Sequence, residues 1–451
     1  MSEEKGIVTH VKNNKSIINA WCSYDWANSV YSLTVTSTIF PVYYSAATRE
    51  AFGGEMVDFF GWTVKNTVLY SYAISFSFLV IVFFSPILSG IADYSGRKKR
   101  FMQVFTYMGA FSCLGLYFFT GPNIGLGLLF SVLASIGYAG ALVFYNAFLP
   151  EISTPDKMDK ISAKGFSMGY IGSVILLILS LVMITYSEEL GFSSKSSATR
   201  FSFLMVGVWW MAFAQIAFFY LKDHPFNEKK AVSELLTKGI RELRSVLKEV
   251  RKYPVMPKYL LAFLFYSVGV QTIMLLAPLF GESVIRLSGE KLIITVLLLQ
   301  LVAIAGSYLF AFISSKRSNK TALIIMVVIW IGICGAAYNL QTEAQFFIMA
   351  GFVGLVMGGI QAISRSTYSK MIPQDTEDTA SYFSLYDVTE KVAIVVGTFS
   401  YGLVEQITGD MRFSALSLSF FFIVGLVILA LTKMPNQQEK AIVNKIIKQA
   451  I

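Results

Sequence analysis

Twelve apolar runs, each long enough to cross a bilayer, constrain this chain more than any other feature. They cover residues 17–47, 66–92, 101–120, 123–149, 165–186, 201–221, 258–281, 291–313, 320–340, 344–368, 382–407 and 414–433. A spanning helix needs about 20 mostly apolar residues. A spanning strand needs only about 10 and alternates, whereas these runs are continuous, so helices are expected and a barrel is not. Composition agrees: 14% of the residues are charged, against about 25% in soluble domains, and 55% are hydrophobic. The reading is an all-α membrane protein of twelve transmembrane helices.

The charges left over set the orientation. With both termini on one face, that face collects 28 of the 37 Lys and Arg residues, ten of them in 222–258. By the positive-inside rule the termini and that loop are expected in the cytoplasm. The net charge of +9 then answers to anionic lipid, and no nucleic-acid partner is called for. Cys22, Cys113 and Cys334 lie in separate runs without paired spacing and read as apolar filler. His10 and His224 fall outside the runs, which excludes a histidine relay or histidine metal site within the membrane. No metal or cofactor constellation is apparent, so an enzyme is not expected. Ser45-Ala46-Ala47 imitates a signal-peptidase site, but the run before it is too long and contains Asp25.

A faint repeat divides the chain. Tyr145-Asn146-Ala147-Phe148-Leu149-Pro150 closes the fourth run and Tyr368-Ser369-Lys370-Met371-Ile372-Pro373 closes the tenth. Two parallel six-helix pseudo-repeat bundles follow, over 17–221 and 258–434, with tails at 1–16 and 435–451. The linker, 222–257, keeps Val232, Leu235, Leu236, Ile240, Leu243, Leu247 and Val250 at helical spacing among basic residues, as in an interfacial helix. Residues 441–451 read as a shorter copy of it.

A charge at the middle of a span costs about 2.5 to 3.5 kcal/mol on insertion scales, so each one asks for a partner or a watery cavity. Asp25, Asn28, Ser29 and Ser32 share one face of the first run, beside Tyr24. The alternative is an interfacial belt of Trp21, Tyr24 and Trp26 with Asp25 snorkelling to the headgroups. Gln271 is a substrate hydrogen-bonder or interhelical glue. Gln361 and Arg365 lie one turn apart in the tenth run, and Asp387 and Lys391 one turn apart in the eleventh, with Glu390 beside them. Asp387 and Lys391 equally suit a structural ion pair. Pro41, Pro86 and Pro278 are expected to bend their helices.

The turn Ser89-Gly90-Ile91-Ala92-Asp93-Tyr94-Ser95-Gly96-Arg97-Lys98-Lys99-Arg100 resembles the G-x-x-x-D-x-x-G-R-[RK] signature of the major facilitator superfamily, with Ser89 in place of the first glycine. The segments YDWANSVYSLTVTSTIFPVYY, YNAFLPEI, GGIQAISRSTYSKMIP and YFSLYDVTEKVAIVVGTFSYGLVEQITG extend the likeness. Together they resemble the vacuolar-effluxer-like family, whose fungal members are autophagy-linked amino-acid exporters. Members often carry an acid just before Gly-x-Gln-Thr in the seventh span, where this chain has Val268; Asp25 and Glu390 are the available substitutes.

The resemblance implies a monomeric secondary transporter in a bacterial plasma membrane, working by alternating access on amino acids or similar zwitterions, with proton coupling. Substrate contacts are expected from Tyr24, Asp25, Asn28, Asn146, Gln271, Gln361, Arg365, Asp387 and Lys391. Proton coupling falls to Glu390 or Asp25, and gating to Asp93, Gly96, Arg97, Lys98 and Lys99. A transporter of lipids, osmolytes or drugs, or a membrane metabolite sensor, remains as the alternative.

Overall fold

Backbone N–H and C=O groups in hydrocarbon must pair among themselves, and most of the described residues are helical. The structure, a computed structural model, describes residues 11–223, 232–252, 254–374 and 376–434. His10, His224 and the expected helix at 441–451 lie outside the described residues.

The elements run in order: α1 (Lys15–Val30), a π-helical segment (Tyr31–Thr38), α2 (Ile39–Phe52), strands β1 (Met56–Phe59) and β2 (Trp62–Lys65), α3 (Asn66–Ser95), α4 (Lys98–Leu116), α5 (Ile124–Ala147), the short α6 (Leu149–Ile152), α7 (Pro155–Thr185), α8 (Lys195–Tyr220) and α9 (Val232–Lys252). Then follow α10 (Val255–Ile285), α11 (Gly289–Lys316), α12 (Asn319–Tyr338), α13 (Glu343–Met371), α14 (Thr379–Thr408) and α15 (Met411–Leu431). Among the described residues nine helices are long and apolar enough to cross a membrane. The other three expected spans are helical as well. The first is divided by the π-helical segment, α4 opens on Lys98-Lys99-Arg100, and α14 contains Asp387, Glu390 and Lys391.

Two local departures have physical causes. Pro41 has no N–H for the carbonyl one turn before it, and the helix widens ahead of it. Hydroxyls take up the slack: Ser37 Oγ donates to the Ser32 carbonyl at 2.9 Å, and Thr38 Oγ1 donates to the carbonyls of Leu33 and Thr34. The all-α expectation is corrected by one hairpin, β1 against β2, with Val57 opposite Val64 and Phe59 opposite Trp62. Its turn places Phe60 at φ 53° and Gly61 at φ 80°, and Asp58 Oδ1 accepts the Gly61 N–H at 2.9 Å.

Contacts gather the chain into two compact units. The first comprises residues 1–153, 168–246 and 374–388, the second 154–167, 247–373 and 389–451. Thus α7 starts in the second unit and continues in the first, and α14 does the reverse. Within the second unit α11 and α13 pack backbone to backbone, because a Cβ on Gly354 would stand 2.6 Å from the Leu299 carbonyl oxygen and one on Gly358 would overlap that of Ala303. Small residues at this spacing let helices approach in lipid, where no hydrophobic force draws them together.

Candidate transport site and polar seams

In the first unit the aromatic-rich start of the chain is core, not belt. Trp21 and Tyr24 are fully buried and Asp25 is 4% exposed, which removes the snorkelling alternative. Trp21 stacks on Tyr145 with ring centroids 4.5 Å apart and donates its indole N–H to the Tyr145 carbonyl at 2.9 Å. Tyr145 in turn donates its hydroxyl to Asp25 Oδ2 at 2.8 Å, and the Tyr24 hydroxyl meets Thr106 Oγ1 at 2.6 Å. Asn28 is 1% exposed, and its Nδ2 has no hydrogen-bond partner among the described residues. A buried donor left unmade costs about 1 to 3 kcal/mol. Asn146 is half-buried beside Tyr145 in sequence.

The repeat seen in sequence has a structural counterpart. Tyr368, the partner of Tyr145 in the repeat, is fully buried and stacks on Tyr259 of α10, as Tyr145 stacks on Trp21 of α1. Lys99 Nζ reaches the Phe218 carbonyl at the end of α8, and Lys320 Nζ reaches the Ala430 and Thr432 carbonyls at the end of α15. Each lysine sets positive charge against a helix C-terminus.

In the second unit, Gln271 Nε2 donates to Glu390 Oε1 at 2.8 Å, and Lys391 Nζ lies 3.1 Å from Glu390 Oε2. Glu390 thus holds an amide and a cation at once. Asp387, which belongs to the first unit, is buried at 6% exposure. Gln361 is half-buried and directs its amide to Met274 Sδ at 3.7 Å.

Arg365 is 2% exposed and engaged. Its Nε donates to Ser162 Oγ and a terminal nitrogen to the Ser162 carbonyl, both at 2.9 Å, while the guanidinium lies 4.0 Å above the ring of Phe166. Ser162 also donates to the Ala362 carbonyl at 2.7 Å. One turn back on α7, Asp159 receives Ser314 at 2.9 Å, Asn319 at 2.8 Å and Lys370 at 2.6 Å. These contacts form one polar seam along the start of α7.

A second seam, in the first unit, runs from the signature turn to the start of α14. Asp93 accepts the backbone N–H groups of Ala380 at 3.1 Å and Ser381 at 2.7 Å, so a carboxylate sits on a helix N-terminus where the dipole favours it. Lys98 Nζ lies 2.5 Å from Glu151, 3.3 Å from Asp93, 2.6 Å from the Glu377 carbonyl and 2.7 Å from Thr379 Oγ1. Gly96 closes α3 in the left-handed region at φ 66°, a conformation open to glycine at no cost. The Arg97 N–H returns to the Ala92 carbonyl, and the N–H groups of Lys99 and Arg100 are capped by Asp223 at 2.6 and 3.2 Å. Asp159, Ser162, Phe166, Glu151 and Thr379 were missed in sequence, where 150–164 falls between two expected spans. The pairing of Asp159 with Lys370 spans more than 200 positions and leaves no local signal.

Solved structures share this fold. FucP in the outward conformation aligns with TM-score 0.68 at 14% identity over 93% of this chain and 100% of its own, and the proton:xylose symporter XylE with TM-score 0.67 at 10% identity over 92% and 94%. The protein is a multi-pass major facilitator superfamily transporter, not an enzyme. The MFS-type transporter YxiO of Bacillus subtilis (strain 168) is 33% identical over 91% of this chain and 94% of that protein. Autophagy-related protein 22 of Saccharomyces cerevisiae (strain ATCC 204508 / S288c) is 27% identical, covering 81% and 77%. Residues 13–442 match the family described as Vacuole effluxer Atg22 like, and the chain belongs to it.

Proposed function

We propose that the protein is a secondary active transporter that exports or exchanges amino acids or similar small zwitterions across a bacterial plasma membrane, with both termini cytoplasmic. The observation that carries the reading is the buried acid of α1. Asp25 offers a buried carboxylate that accepts the hydroxyl of Tyr145, whose ring stacks on that of Trp21 and lies 4.9 Å from that of Tyr24, with the Asn28 Nδ2 donor, which has no partner among the described residues, one turn on. A buried carboxylate is what a primary ammonium seeks, through charge. The family description supplies the word effluxer.

The bundles 17–221 and 258–434 are the rocking bodies, and the protein works as a monomer. Arg365 and Lys391 are the cations available to a carboxylate, with Gln271, Gln361 and Asp387 as polar support. Arg365 must leave Ser162 before it can clamp a substrate, which makes it a gate residue in the present state and a ligand only in another. Asp93, Gly96, Arg97, Lys98 and Lys99 belong to the seam of the first unit and hold the start of α14 closed. Glu390 is the proton carrier, restrained by Lys391, and Glu390→Gln should abolish pH-driven accumulation while sparing exchange at fixed pH.

The test is ligand-dependent stability of the purified protein against a panel of amino acids. A ligand at 100 times its Kd adds about 2.7 kcal/mol, readily seen as a raised Tm. The reading expects at least one amino acid to do this, and Asp25→Asn to remove the effect without lowering the unliganded Tm by a comparable amount. No response to any amino acid, with a response to osmolytes or lipids, would transfer the assignment to those solutes.

A further inference from the structure

Helix α9 has two unlike faces. Gly239, Val246 and Val250 are buried and Leu243 is half-buried, a stripe at i, i+4, i+7 and i+11. At Gly239 the helix meets α3 backbone to backbone. A Cβ there would stand 2.7 Å from Ile91 Cγ1 and 2.9 Å from the Ile91 nitrogen, and a Cβ on Gly90 would overlap the Gly239 carbonyl. The contact lies within one turn of Asp93, the acid that caps α14.

The adjoining flank is exposed. Ile240 is 37% and Leu247 39% exposed, and Arg241, Arg244, Lys248 and Arg251 are exposed beside them. At about 100° per residue the apolar pair lies roughly 80–100° from Gly239 and the four cations roughly 120–200° from it. Glu249, half-buried, falls on the far flank. An apolar edge bordered by cations is the pattern of a helix lying in the headgroup boundary of an anionic leaflet. Charge complementarity favours lipid phosphates over a protein partner, because the cations follow the apolar edge along about three turns instead of clustering at one point.

We infer that α9 is an anionic-lipid-binding helix. Ile240 and Leu247 enter the boundary, Arg241, Arg244, Lys248 and Arg251 hold headgroup phosphates, and the Gly239 contact transmits lipid occupancy to the Asp93 turn. Only this last step rests on the gating role proposed above.

The test uses the full chain in nanodiscs of phosphatidylcholine alone or with about one third phosphatidylglycerol, with an environment-sensitive fluorophore on Leu247→Cys. Cys22, Cys113 and Cys334 are buried and do not compete for label. Emission should shift to the blue and quenching by an aqueous quencher should fall about fivefold in the anionic discs, with reversal in about 0.5 M salt. Replacing Arg241, Arg244, Lys248 and Arg251 together by Gln should erase the difference between discs. Equal emission in both disc types, or an unchanged difference in the Gln variant, would overturn lipid binding, and neither readout depends on transport. Gly239→Val should keep the lipid-dependent emission while removing any lipid dependence of hydrogen exchange at Ala380 and Ser381. Persistence of that dependence would overturn the link to the Asp93 turn.

Discussion

Asp93→Asn isolates the cap on α14. In the native chain the carboxylate accepts two backbone N–H groups, at 3.1 and 2.7 Å, in a buried site. Charge-assisted bonds contribute about 1.5 to 3 kcal/mol each and neutral ones about 0.5 to 1.5. An asparagine oxygen keeps one neutral bond and loses the attraction to the helix dipole. Some of that loss is offset by the lower desolvation cost of an amide, and Lys98 keeps Glu151 as a partner at 2.5 Å. The net weakening is about 2 to 3 kcal/mol, or about 30- to 150-fold in the opening equilibrium of residues 379–388. Hydrogen exchange resolved at Ala380 and Ser381 measures this directly, since exchange through local opening follows the equilibrium. Turnover should change with it, while the apparent affinity for substrate changes little. Protection at Ala380 and Ser381 within about twofold of the native value would refute the claim that this carboxylate holds the helix start.

Three further outcomes follow from particular contacts. Arg365→Lys keeps the charge but loses the forked bond to Ser162 and the stacking on Phe166, so exchange in 155–167 should rise about 10- to 100-fold. Gly358→Val must push α11 from α13 and should lower stability by about 1 to 3 kcal/mol, whereas Gly332→Ala, where a Cβ meets nothing within 4 Å, should leave the melting temperature unchanged or raised. Burial raises the carboxyl of Asp223 above the ordinary aspartate range, against the lowering effect of the Lys99 and Arg100 amides. The folded chain therefore binds that proton more tightly than the unfolded chain, and this contribution to stability is present below the ordinary range and lost as pH rises through the folded pKa. Asp223→Asn should flatten that part of a pH series of thermal melts.

What the sequence disclosed was what repeats or what lipid forbids. Long apolar runs placed most of the helices within a few residues, although α7 begins at Pro155 and not at 165, and the signature turn was legible because Gly96 must adopt a left-handed backbone. The tyrosine repeat at Tyr145 and Tyr368 proved to be two aromatic stacks of the same kind. The hairpin at Met56–Lys65 had a signal, alternation about Gly61, but Phe60 stands where a two-residue turn usually takes Asn, Asp or Gly. The π-helical segment could be traced to Pro41 only after its hydroxyl bonds were seen. The polar seams were out of reach, because Asp93 with Ser381 and Ser162 with Arg365 join residues 288 and 203 positions apart. Spacing paired Lys391 with Asp387 one turn away, and the structure adds its immediate neighbour Glu390. Helical periodicity registers neighbours at three and four, not the bend of a long side chain along the backbone.

Counterflow in proteoliposomes tests transport most directly. Vesicles loaded with a mixed pool of unlabelled amino acids and diluted into a trace of labelled ones should show transient accumulation of label, absent with Asp25→Asn and with Arg365→Ala. Folded protein that accumulates no amino acid, or an Asp25→Asn variant that accumulates as the native chain does, would contradict the assignment of a zwitterion site to the buried acid of α1.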